Sequence, residues 1–175
     1  NDYEKPMKEF LNKIAKKIKL SKPVNVLIIG DSLSDFDRGC NFADKWAFWM
    51  NLHNPGKFNF RNAGVAGDYI TTALNRWKKY PYIFDLFRYR NLEKEKYDYV
   101  FFFLGHNDCR KSWNAKEKRY IPLVPAERRQ KEFREMLTLL KKHYGAKFII
   151  ATPMAQDFEK VSANFKNAIR NKTPH

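Results

Sequence analysis

The chain has 175 residues, with 34 Lys and Arg against 19 Asp and Glu, a net charge of +15 and a pI near 9.8. With 43% hydrophobic and 16% aromatic residues it can bury a substantial core, which excludes a disordered chain and fits a single domain over 1–175. No apolar run reaches membrane-spanning length, and the basic residues are spread rather than blocked, so nucleic acid is not an expected partner.

The elements can be read in chain order. Met7, Phe10, Leu11, Ile14, Ala15 and Ile18 form a helical apolar stripe with lysines opposite, an amphipathic helix leading into the first strand. Val24 to Ile29 is β-branched and apolar, as in a parallel strand buried on both faces, and it ends abruptly in Gly30, Asp31, Ser32 and Leu33. Phe42 to Leu52 reads as a helix whose aromatics, Trp46 and Trp49 among them, belong to the core. Phe58 to Phe60 is a short strand followed by Arg61 to Asp68, rich in small residues.

Helices are expected over Tyr69 to Trp77 and Tyr82 to Leu92, then a strongly apolar strand, Tyr99 to Leu104, closing on Gly105, His106, Asn107 and Asp108. Cys109 to Pro125 is a long basic loop containing Trp113 and Tyr120, expected to form the wall or lid of an acyl or sugar pocket. Ala126 to Tyr144 is a helix with Phe133, Leu137 and Leu140 on one face and Pro125 suiting its start. Lys147 to Thr152 is a fourth strand ending at Pro153. Strands alternating with helices predict an α/β domain with a mainly parallel sheet and right-handed crossovers.

Three of these strands end in the same way: apolar run, glycine with small polar residues, helical pattern. Parallel sheets place chemistry at that carboxyl edge, so three such ends can converge on one site. Each end also has a plain structural reading. Gly-Asp-Ser is ordinary turn chemistry, Gly67 fits a backbone requirement for positive φ, and Asn107 fits a cap or turn. Asp108 is expected to order its loop by accepting backbone hydrogen bonds.

In combination and order, Gly-Asp-Ser-Leu at 30–33, Asn-x-x-x-x-Gly at 62–67 and Gly-x-Asn-Asp at 105–108 resemble the SGNH hydrolases, also called GDSL esterases and lipases. The Gly-His-Asn-Asp form is similar to that of the rhamnogalacturonan acetylesterase branch. The resemblance spans Val24 to Pro153 and implies a three-layer flavodoxin-like fold. It implies Ser32 as nucleophile, with Gly67, Asn107 and the Ser32 amide as oxyanion donors. Asp31, His106 and Trp113 are expected near the substrate, a small ester such as an acetylated carbohydrate. No cofactor and no metal is expected.

The resemblance also implies an Asp-x-x-His block, whose histidine is the general base, and that spacing is nowhere in the sequence. Without a base a serine is a poor nucleophile. His53 and His143 read as helix C-terminal residues, His106 as lining or supporting the pocket, and His175 as terminal. The chain is therefore expected to be truncated after the fourth strand, lacking a C-terminal strand and helix and with little turnover as it stands. A non-catalytic carbohydrate- or ligand-binding domain is the alternative.

Cys40 and Cys109 lie in loops at the same expected edge, where free thiols are favoured over a disulfide. The net charge suits an anionic polysaccharide as partner. A fourth strand at an uncovered edge is open to self-association. A start without Met suits removal of an export signal, so a secreted or cell-envelope location is expected.

Overall fold

The structure, a computed structural model, describes residues 5–6, 9, 21–39, 41–80 and 86–151. Lys5, Pro6 and Glu9 are helical, and the rest of the expected N-terminal helix lies outside the described residues. Four parallel strands, β1 (Val24–Gly30), β2 (Phe58–Asn62), β3 (Tyr99–Phe103) and β6 (Lys147–Ile150), form one sheet in the order β2-β1-β3-β6. Between β3 and β6 the chain adds an antiparallel hairpin, β4 (Lys111–Asn114) and β5 (Arg119–Pro122).

The layers follow from which faces are apolar. Leu27 and Ile29 of β1 and Val100 and Phe102 of β3 pack against α2 (Ile70–Trp77) and α3 (Ala126–Tyr144), through Ile70, Ala73, Leu74, Met136 and Leu140. Val26, Ile28 and Phe101 point the other way and pack against Ala43, Phe42 and Trp46 of α1 (Phe42–His53). Both faces of β1 and β3 are thus covered, which is why these strands read as continuous apolar runs. Each fully buried aliphatic side chain contributes about 1.5–3 kcal/mol.

Some expectations are corrected. Trp46 is core, packed on Phe60 and Phe101, but Trp49 is 51% exposed and stacks on His53, because α1 turns only one stripe toward the sheet. Of the helix expected over 82–92, residues 82–85 lie outside the described residues, and from Leu86 on the chain forms two short 3₁₀ turns, Leu86–Tyr89 and Leu92–Lys94, rather than a helix. Asn91 between them has φ +64, a left-handed conformation that ends a helix. The basic loop after Cys109 is the β4–β5 hairpin. β6 is the outer strand on its side among the described residues, with Ile149 and Ile150 exposed. No described helix is long and apolar enough to cross a membrane.

The strand order positions the site. From β1 the chain moves outward to β2 and then crosses back to β3, so connections leave β1 and β3 in opposite directions. That reversal opens a crevice beyond their carboxyl ends. Ser32 follows β1 and Asn107 follows β3.

Candidate active site

The first turn is built by Asp31. Its carbonyl accepts from the amides of Ser34 at 2.9 Å and Asp35 at 3.1 Å, and its Oδ1 accepts from the Leu33 amide at 3.0 Å. Ser32, half-buried, rides on this turn. Ser34 folds beneath it against the second loop, so closely that a Cβ on Gly64 would lie 2.7 Å from the Ser34 Cβ and 2.9 Å from its carbonyl carbon. Only glycine fits there. Asp31 is 1% exposed, so it holds the turn from inside rather than facing a substrate as the sequence reading placed it.

The second loop prolongs the β1–β2 ladder: Ala63 donates to the Ile28 carbonyl at 2.8 Å and Val65 to the Gly30 carbonyl at 3.0 Å. It is tied to the first turn by Asn62, whose Nδ2 donates to the Ser34 carbonyl at 2.6 Å and whose Oδ1 accepts from Gly64 at 3.0 Å. Gly67 is exposed with φ +81, and a Cβ there would meet nothing within 4 Å, so its glycine is a conformational requirement.

The third loop joins the other two. Asn107 Nδ2 donates to the Asp68 carbonyl at 2.8 Å, which orients its amide and leaves its second N–H to point elsewhere. Asp108 is fully buried and its Oδ1 accepts from the amide of Ile70, the first residue of α2, at 3.1 Å, the loop-ordering role expected of it. His106 is half-buried, edge-on to Phe103, and its Nε2 has no partner among the described residues. The structure therefore gathers the turns bearing Ser32, Gly67 and Asn107 at one sheet edge and bridges each to the next.

Sequence reasoning missed the charged residues that lock this arrangement. Asp35 Oδ2 accepts from the Ala66 amide at 2.6 Å, directly before Gly67, while its Oδ1 pairs with Arg88 at 2.9 Å. Arg88 also reaches Asp37 at 2.5 Å, and its guanidinium lies 3.6 Å from the centre of the Phe36 ring. A third segment thus clamps the Ser32 turn onto the Gly67 loop. Behind that loop, Asp68 and Arg76 form a fully buried two-pronged pair at 2.5 and 2.8 Å. Burial opposes the Arg76 charge, but the hydrogen bonds and charge of Asp68 outweigh it and hold the guanidinium pKa above its ordinary value. In sequence, Arg88 and Arg76 are two among many basic residues; the one local sign was their apolar and aromatic neighbours.

Two buried carboxyls lie under the site. Burial raises Asp31 above the ordinary carboxylate value, against the Leu33 amide and nearby His106. Burial likewise raises Asp108, against the Ile70 amide, and the charge of Asp31 adds to the rise. Each has one oxygen without a partner among the described residues.

The other histidines stand elsewhere. His53 stacks on Trp49 within α1, and His143, on α3, has its Nε2 2.9 Å from the Glu93 carbonyl. His175 and Cys40 lie outside the described residues. Cys109 is an exposed free thiol that accepts from Arg129 at 3.1 Å. Trp113, on β4, is half-buried and packs edge-to-face on Tyr120. Among the described residues no group of three potential metal ligands occurs.

No family model and no curated protein matches the sequence. Solved structures do match by shape. A catalytic mutant of Axe2, an acetylxylan esterase from Geobacillus stearothermophilus, aligns over 87% of this chain and 72% of its own with TM-score 0.58 and 18% identity. TesA aligns over 78% and 64% with TM-score 0.53 and 18% identity. LAE5, an α/β hydrolase enzyme from the metagenome of Lake Arreo, Spain, aligns over 86% and 70% with TM-score 0.53 and 19% identity. A second Axe2 mutant aligns over 63% of its own length, so the chain spans less than two thirds of some of these proteins. What these likenesses show is the fold, an α/β domain with a mainly parallel sheet.

Proposed function

We propose that the chain carries the nucleophile and oxyanion-binding part of a serine esterase acting on small acyl esters, acetyl esters of carbohydrate in particular. The observation that carries this reading is the bridging of three turns: Asp35 to the Ala66 amide and Asn107 to the Asp68 carbonyl, at the carboxyl edge of β1, β2 and β3. The likeness in fold to an acetylxylan esterase supports the choice of acetylated carbohydrate.

In this mechanism the Ser32 hydroxyl attacks the ester carbonyl and passes its proton to a histidine base. Negative charge on the former carbonyl oxygen is met by the amides of Ser32 and Gly67 and the side-chain amide of Asn107. Such fixed donors are worth about 2.7–4 kcal/mol each in the transition state. The alcohol leaves with the proton, and water releases the acid from the acyl-enzyme. His53 and His143 are engaged away from the crevice, whereas His106 stands in the loop that bears Asn107 with its Nε2 unpartnered among the described residues.

The lack of an Asp-x-x-His spacing in the sequence favours a second reading, a domain that binds an acylated glycan without cleaving it. Hydrolysis of p-nitrophenyl acetate by the full-length protein and its Ser32→Ala variant tests the proposal. A rate lost on substitution is expected; equal rates above the spontaneous reaction would remove Ser32 from the mechanism.

A further inference from the structure

The β4–β5 hairpin is not used by this mechanism, yet it begins four residues beyond Asn107. Its base is closed by two backbone bonds, Leu123 to the Arg110 carbonyl at 2.6 Å and Val124 to the Asp108 carbonyl at 3.3 Å, so it projects from the loop that carries the candidate donor. From 110 to 119 it holds five cations and one carboxylate, Glu117, which is itself paired with Arg119 at 2.6 Å. Lys111, Lys116 and Lys118 are exposed.

Two features give the arm its shape. Trp113 faces Tyr120 across the strands, so both rings, with Lys111, stand on one side of the ribbon. At the tip, Asn114 accepts from the amides of Lys116 and Glu117 at 3.0 and 3.1 Å, and Lys118 takes φ +48. Gly or Asn is the low-cost residue at such a position, and here a cation occupies it instead.

We propose that this hairpin is a binding arm for an anionic polysaccharide, a uronate-bearing glycan whose carboxylates meet the tip lysines and whose sugar rings lie on the Trp113–Tyr120 pair. The inference deepens the esterase reading and rests on it for the choice of a glycan. Nucleic acid is the other polyanion such a charge could meet; the esterase reading favours the glycan, and the poly(U) arm of the test separates the two.

The test is affinity gel electrophoresis of the full chain in gels containing polygalacturonate, neutral hydroxyethylcellulose or poly(U) RNA. Retardation by polygalacturonate that weakens with added salt is expected. Lys116→Glu combined with Lys118→Glu should weaken it by at least about fivefold, whereas Lys131→Glu combined with Lys142→Glu on α3 should change it by less than about twofold. Trp113→Leu should weaken it by at least about threefold. An equal loss in both double variants, no retardation by polygalacturonate, or stronger retardation by poly(U) would overturn the proposal. Ser32→Ala should be retarded as the wild type is, so a failed esterase reading shows in hydrolysis while the arm is judged by retardation alone.

Discussion

The carboxyl edge of the main sheet and the β4–β5 hairpin are neighbours held together in different ways. At the sheet edge, side chains cross between segments 31, 39 and 53 residues apart: Asp35 to Ala66, Asn107 to Asp68, and Arg88 to Asp35. The hairpin rests on its own ladder and two backbone bonds at its base. The edge has a geometry fixed by tertiary structure before any ligand arrives, as an oxyanion site requires. The arm presents exposed charge that can follow a polymer.

The largest break in that contrast is Arg76→Leu. It removes the guanidinium paired with the buried Asp68 carboxylate, so urea unfolding should show a loss of about 3–5 kcal/mol. The Lys116→Glu and Lys118→Glu hairpin variant should stay within about 0.5 kcal/mol of the wild type.

Next is Asn107→Ala, expected in the full-length protein to lower kcat for p-nitrophenyl acetate by about 10²–10³-fold with little change in KM. The hairpin variant should leave both constants unchanged for this small ester.

Gly64→Ala should follow, at about 1–3 kcal/mol of stability, because the new methyl meets the Ser34 backbone, which cannot swing away. Activity should fall with it, since Ser34 lies beneath the turn that carries Ser32.

The smallest effect is a pH dependence. Asp108 has a folded pKa above its ordinary 3.8, so the native state binds its proton more tightly than the unfolded chain does. Its contribution to stability is therefore full below about 3.8 and is lost as pH rises through the higher folded value. Asp108→Asn keeps an acceptor for the Ile70 amide and stays neutral. Unfolding midpoints should favour the variant at pH 7, and the gap should close toward pH 3.5.

Much of this was legible in the sequence because the signals are local. β1 and β3 are buried on both faces, so their runs are unbroken, and each ends in a block whose glycine and polar residues are contiguous. α3 falls on its expected bounds, with Pro125 before it and Gly145 in the left-handed region after it. The locks were not legible. Arg88 pairs with a carboxylate 53 residues away, and only its aromatic neighbours Phe87 and Tyr89 set it apart locally from a solvated arginine. The hairpin was hidden because each strand has four residues and its turn carries Lys118 where a glycine would have signalled it.

The central claim is that Ser32 is a nucleophile held in a built oxyanion site. Brief exposure of the native full-length protein to p-nitrophenyl acetate, an acid quench and mass spectrometry of the peptides test it directly. The account predicts one acetyl group on the peptide containing Ser32, absent from Ser32→Ala and from urea-unfolded protein. An unmodified Ser32 peptide, or the same acetylation in native and unfolded chains, would contradict it.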